Sequence, residues 1–102
     1  MNDTGLKNND IERIKNTLSI FPQIEKVILY GSRAMGSHRP ASDIDLTLIG
    51  NNIDSTLQWK LELKLDDLLL PYKFDISIYS NISNPELKKN IDEFGIVFYE
   101  KK

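Results

Sequence analysis

No cysteine occurs in this chain of 102 residues. That removes disulfides, thiolate metal sites and cysteine nucleophiles together. Histidine is nearly absent too: His38 stands alone, in a loop-like stretch where a solvated side chain is the ordinary reading. Nor is there a basic excess, since 13 Lys and Arg meet 15 Asp and Glu for a formal charge of −2. A protein that grips nucleic-acid backbone normally carries such an excess, so direct nucleic acid binding is not expected. No apolar run approaches the roughly 20 residues needed to cross a bilayer. Met1 to Asp10 are too polar and acidic for a secretory signal. The sequence therefore predicts a cytoplasmic protein.

What is present is an ordinary globular mixture. Hydrophobic residues at 40% and charged residues at 27% suit one soluble domain spanning residues 1–102. Such a chain buries roughly 60–70% of its unfolded surface, enough for one core. Ile11, Ile14 and Leu18 follow helical spacing behind the capping candidates Asn8, Asn9 and Asp10. Val27-Ile28-Leu29-Tyr30 is a short apolar run stopped by Gly31, as in a buried strand. After a Gly, Ser and Pro-containing stretch from Ser32 to Ser42, the segment Asp43 to Ile49 alternates with strand period. Asp54 or Ser55 can cap a long helix that ends before Pro71. Lys73 to Tyr79 alternates strictly as a third strand. Asn84-Pro85 opens a last helix with the stripe Leu87, Ile91 and Phe94, Gly95 stands at its C-terminal cap, and Ile96 to Tyr99 adds a fourth strand. The order αβ(α)βαβαβ gives an α/β or α+β fold, a small mixed sheet with helices packed against it.

Asp43 and Asp45 share one face of their strand, with Ile44, Leu46 and Leu48 on the other. Two strand residues advance about 6.6 Å, so both carboxylates can converge on one metal cluster. In the next strand Asp75 lies on a face with Ser77 and Tyr79. If the two strands are neighbours, three acids crowd together and call for a cation. Mg²⁺, a hard ion held by a few carboxylates and phosphate oxygens, suits a two-metal phosphoryl-transfer site of this kind. Gly31 and Ser32 end the preceding strand at a tight turn where phosphate oxygens can approach amides and a hydroxyl. Arg33, and more weakly Arg39, are nearby cations for triphosphate charge. Asp66-Asp67 falls in a helical stretch where adjacent residues diverge by about 100°, so it reads as a solvated face.

Gly31-Ser32, ten intervening residues and then Asp43-x-Asp45 resemble the defining motif of the polymerase-beta-like nucleotidyltransferase superfamily. The run Gly-Ser-Arg-Ala-x-Gly…Ser-Asp-Ile-Asp-Leu is similar to its smallest branch, the minimal nucleotidyltransferases, and the likeness spans nearly the whole chain. The branch often carries a basic residue where this chain has Met35. The resemblance implies that Asp43, Asp45 and Asp75 hold two Mg²⁺ ions and that Gly31 and Ser32 hold the triphosphate. It further implies a HEPN-type helical partner, often a toxin, neutralised in some cases by AMP transfer from ATP to a tyrosine hydroxyl. The alternatives are a module that neutralises its partner by contact without turnover, and transfer to a small molecule, for which the chain has little room.

The long helix carries two apolar stripes. Ile53, Leu57, Leu61, Leu65 and Leu68 suit the core, while Trp59, Leu63 and Leu70 lie on a different side. A surface helix normally shows one stripe, so the second is expected to meet a partner chain or a second copy.

Overall fold

Alternation at Val27 and Leu29, and at Ile44, Leu46 and Leu48, gives two strands that each turn a wholly buried apolar edge to one side. The computed structural model describes residues 4–102 and pairs these strands antiparallel at its centre. In chain order the elements are α1 (Asn8–Leu18), β1 (Ile24–Tyr30), α2 (Ser32–Met35), β2 (Ile44–Gly50), α3 (Ser55–Asp66), β3 (Phe74–Ile78), a 3₁₀ turn (Tyr79–Asn81), α4 (Pro85–Phe94) and β4 (Ile96–Glu100). The sheet order is β3-β2-β1-β4, with β2 and β3 parallel and the other two pairs antiparallel. This is the mixed, helix-flanked sheet that the alternation predicts.

One face of the sheet is the core. Ile14 and Leu18 of α1 and Leu57, Leu61 and Leu65 of α3 pack there on Val27, Leu29, Ile44, Leu46, Leu48, Ile76 and Phe98. Each such side chain contributes about 1.5–3 kcal/mol through its burial. On the opposite face α4 lays Ile91 near Ile28. Gly95 is needed for that approach, because a Cβ there would run into the Ile91 carbonyl and the Ile28 side chain. Gly95 is the C-cap of α4 as expected, with an extended backbone (φ −66°, ψ 149°), so what the position asks of it is closeness and not a left-handed turn.

Two helix boundaries differ from expectation. Helix α1 starts at Asn8 after Lys7, without a side-chain cap, so Asn8, Asn9 and Asp10 lie inside it. Helix α3 stops at Asp66, well before Pro71, because the chain turns at Leu69 (φ 55°) to bring Phe74 beside Ile44. Arg13 donates to the Leu68 carbonyl (2.9 Å), satisfying a group that the early stop leaves open. Asp54 caps α3 through the Leu57 amide (2.9 Å), and Asn84 caps α4 through the amides of Glu86 (2.9 Å) and Leu87 (3.3 Å).

Candidate active site

Register places the acids. Asp45 of β2 stands opposite Asp75 of β3 in the parallel pair and opposite Tyr30 of β1 in the antiparallel pair. Opposed residues of a ladder share a face, so all three occupy the face away from the main core. Asp43 precedes β2 by one residue and is exposed, as is Asp75, whereas Asp45 is half-buried. Burial, then the charges of Asp75 and Asp43, then a hydrogen bond to Asp75 push the Asp45 carboxyl up to about 6. Among the described residues none of the three acids has an ion-pair partner. The cluster is therefore negative charge that the protein itself leaves uncompensated.

Gly31 and Ser32 adjoin this cluster. The Gly31 backbone is left-handed (φ 77°), which glycine adopts readily. A Cβ built there would strike the Asp45 carboxylate, so the strand end and the acid are in direct apposition. Ser32 opens α2 and its hydroxyl has no partner among the described residues. The Met35 amide returns to the Gly31 carbonyl (3.1 Å), which leaves the first amides of the turn without helical acceptors.

Arg33 requires a correction. It is expected beside the phosphates, yet it is 1% exposed and its guanidinium points into the protein. Its donors go to the carbonyls of Thr4 (2.8 Å), Pro40 (3.3 Å) and Ser42 (2.9 and 3.2 Å), and it lies 5.1 Å from the centre of the Tyr72 ring. Arg39 remains exposed on the loop. His38 is half-buried against Gly5, its Nδ1 without a partner among the described residues, not the solvated side chain expected. Asp66 and Asp67 are exposed, as the helical reading has them. Of the second stripe of α3, Trp59 (60%) and Leu63 (44%) are exposed, whereas Leu70 lies beyond the helix and packs on the core.

Two hydroxyls beside the acids carry no local sequence mark as site groups. Tyr30 Oη lies 3.4 Å from Ser77 Oγ, directly along the face from Asp45 and Asp75. Burial raises the Tyr30 phenol, the Ser77 contact lowers it in part, and the charges of Asp75 and Asp45 raise it further. The signal lay in register: Tyr30 directly precedes Gly31, but only the β1–β2 pairing sets it across from Asp45. Thr47, the next residue on that face, is fully buried and its hydroxyl has no partner among the described residues.

The donor set fits Mg²⁺: three hard carboxylates, two of them exposed and able to turn, around a charge that lacks a counterion. As the side chains stand, no three acidic or imidazole groups among the described residues enclose an ion. Asp43 and Asp75 lie on the surface, with Asp45 half-buried between them. A depression of about 860 Å³ occupies the far end of the β1–β2 ladder, near Pro22, Lys26, Asn51 and Lys101. A groove of about 340 Å³ runs between Ile28, Ile49, Tyr79 and Ile91. Neither includes an acid of the trio. Among the described residues no helix is long and apolar enough to cross a membrane.

A family model described as polymerase beta, nucleotidyltransferase, matches residues 12–102. Among solved structures, a toxin–antitoxin complex with AMP-PNP matches with a TM-score of 0.71 and 21% identity, over 95% of this chain and 76% of that one. A complex of the tri-AMPylated Shewanella oneidensis HEPN toxin with its MNT antitoxin gives a TM-score of 0.70 and 18% identity, over 94% and 74% of the two chains. A structure described as a minimal nucleotidyltransferase gives 0.64 and 26%, over 83% of this chain and 88% of that one. The first two likenesses establish a shared fold. No curated protein matches the sequence.

Proposed function

This chain belongs to the polymerase beta nucleotidyltransferase family, and we propose that it transfers AMP from ATP to a hydroxyl of a HEPN-type helical partner, acting as that partner's antitoxin. The observation that carries the reading is the in-register pair Asp45 and Asp75, flanked by Asp43 and by the Gly31-Ser32 turn, with no ion-pair partner among the described residues. The partner is suggested by the folds alike: one of them is an MNT antitoxin bound to an AMP-bearing HEPN toxin. A nucleotide donor is suggested by another that carries AMP-PNP.

In this reading Asp43, Asp45 and Asp75 would hold two Mg²⁺ ions, which would supply charge neutralisation for the reacting phosphate. Ser32 donates its hydroxyl to the triphosphate, and the absent side chain of Gly31 leaves room beside Asp45. The acceptor hydroxyl attacks the α-phosphorus in line. A new oxygen–phosphorus bond forms, the bond to the β-phosphate bridging oxygen breaks, and pyrophosphate leaves with the electron pair. Asp75, exposed at the sheet edge, receives the acceptor proton. So small a domain leaves little protein to build an acceptor site, so the acceptor is presented by the partner chain, and catalysis rests on positioning and charge.

One observation favours a second reading, a module that neutralises its partner by contact: the three acids do not enclose an ion as they stand. Transfer of label from [α-³²P]ATP with Mg²⁺ separates the two. Wild type and Asp43→Asn/Asp45→Asn are compared in the presence of the helical partner. Label on the partner that disappears in the variant supports transfer. Intact partner binding without label under any NTP would sink it.

A further inference from the structure

Among the described residues Arg33 is a buried cation without a carboxylate partner, and the positions of its acceptors explain why it is tolerated. Its four hydrogen bonds there go to backbone carbonyls, and the Tyr72 ring lies against it. Tyr72 in turn donates to Asp10 Oδ2 (3.2 Å), so a carboxylate reaches the stack at one remove. Two of the four bonds end on Ser42, the residue directly before Asp43.

The loop that Arg33 grips is otherwise closed on itself. The Ser42 amide donates to the Arg39 carbonyl (2.9 Å), and the Arg39 amide donates to Ser42 Oγ (2.8 Å). Pro40 occupies the second position of this turn, where its fixed φ is favourable. On the far side of Asp43, the Ile44 amide donates to the Lys73 carbonyl of the segment leading into β3 (2.8 Å). Asp43 thus sits between two fastened peptides, one held by Arg33 and one by the neighbouring strand. Its own side chain is exposed, and among the described residues no hydrogen bond or ion pair orients it.

We infer that Arg33 is a positioning residue: through the Ser42 carbonyl it sets the backbone from which Asp43 projects, and through the Thr4 carbonyl it ties the N-terminal segment to the same loop. This rests on the metal-dependent reading of the acids given above. A planar fork that reaches three carbonyl-bearing residues cannot be copied by the single ammonium of lysine.

The test measures Mn²⁺ binding, with ATP present, by electron paramagnetic resonance on wild type, Arg33→Met, Arg33→Lys and each of these combined with Asp43→Ala. Arg33→Met should weaken Mn²⁺ binding roughly 10–100-fold, the range for groups that orient metal ligands, and Arg33→Lys by less. In the Asp43→Ala background either change should cost almost nothing further, because the ligand it acts through is gone. A general loss of stability would not produce that dependence, and Arg33→Lys supplies the comparison if Arg33→Met does not fold. Wild-type affinity in the Arg33 variants, or an equal loss with and without Asp43, would overturn the positioning role alone. A wild type that binds no Mn²⁺ would overturn the metal-dependent reading itself.

Discussion

Asp45 and Asp75 face each other across the parallel β2–β3 ladder, the most closely opposed like charges of the candidate site. Such a pair costs the metal-free fold stability that a bound cation returns.

The pH dependence follows from the direction of that cost. Asp45 is raised from an ordinary 3.8 to about 6 in the fold. A raised carboxyl contributes stability below its unfolded value and loses it as pH climbs through the folded one. Without metal, unfolding free energy should therefore fall by about 1–2 kcal/mol between about pH 4 and pH 6, after allowing for solvent screening. Thermal melts in EDTA across this range would show it, and Mg²⁺ should flatten the fall. A flat profile in EDTA would contradict the strain.

Asp75→Asn removes the largest charge acting on Asp45. In EDTA at pH 7.5 the variant should melt about 2–4 °C above wild type, and it should lose label transfer. A variant that is both less stable and fully active would show that the acids neither repel nor act together.

Gly31→Ala combines a left-handed backbone with a collision against the Asp45 carboxylate. Urea unfolding should report a loss of about 1–3 kcal/mol, together with weaker Mn²⁺ binding. Unchanged metal affinity would mean that Asp45 can move aside at no cost to the site.

Trp59 and Leu63 are exposed on α3. If they form the partner surface, Trp59→Asp with Leu63→Asp should weaken partner binding by calorimetry while shifting stability by only about 0.5 kcal/mol, as exposed positions do. Leu70→Asp should instead destabilise the fold, since Leu70 packs on the core. Undiminished binding in the double variant would move the partner surface elsewhere.

Period-two and helical spacing were enough to place all four strands, the acids on one face and the Asn84-Pro85 start of α4. Local pattern does not carry what depends on long-range closure. The end of α3 is set by the need to return to β2, so Leu70 leaves the second stripe. Arg33 looks like a surface cation beside a phosphate turn, and only the fold brings Thr4, Pro40 and Ser42 carbonyls around it. Gly95 reads as a helix C-cap, which it is, but its smallness also answers to Ile28, far away in sequence. Tyr30 reads as one more apolar strand residue until β2 is laid beside it.

Strand β3 is an edge, paired on one side to β2 and steadied beyond the ladder by Gln58, whose amide donates to the Ile76 carbonyl (2.8 Å). Asp45 lies on the central strand β2 with Asp43 directly before it, but Asp75 rides on the sheet's margin. Edges open locally before a domain unfolds as a whole. On heating, the protein should lose its chemistry while most of its helix and sheet signal persists, and amide exchange along β3 should mark the temperature at which it does.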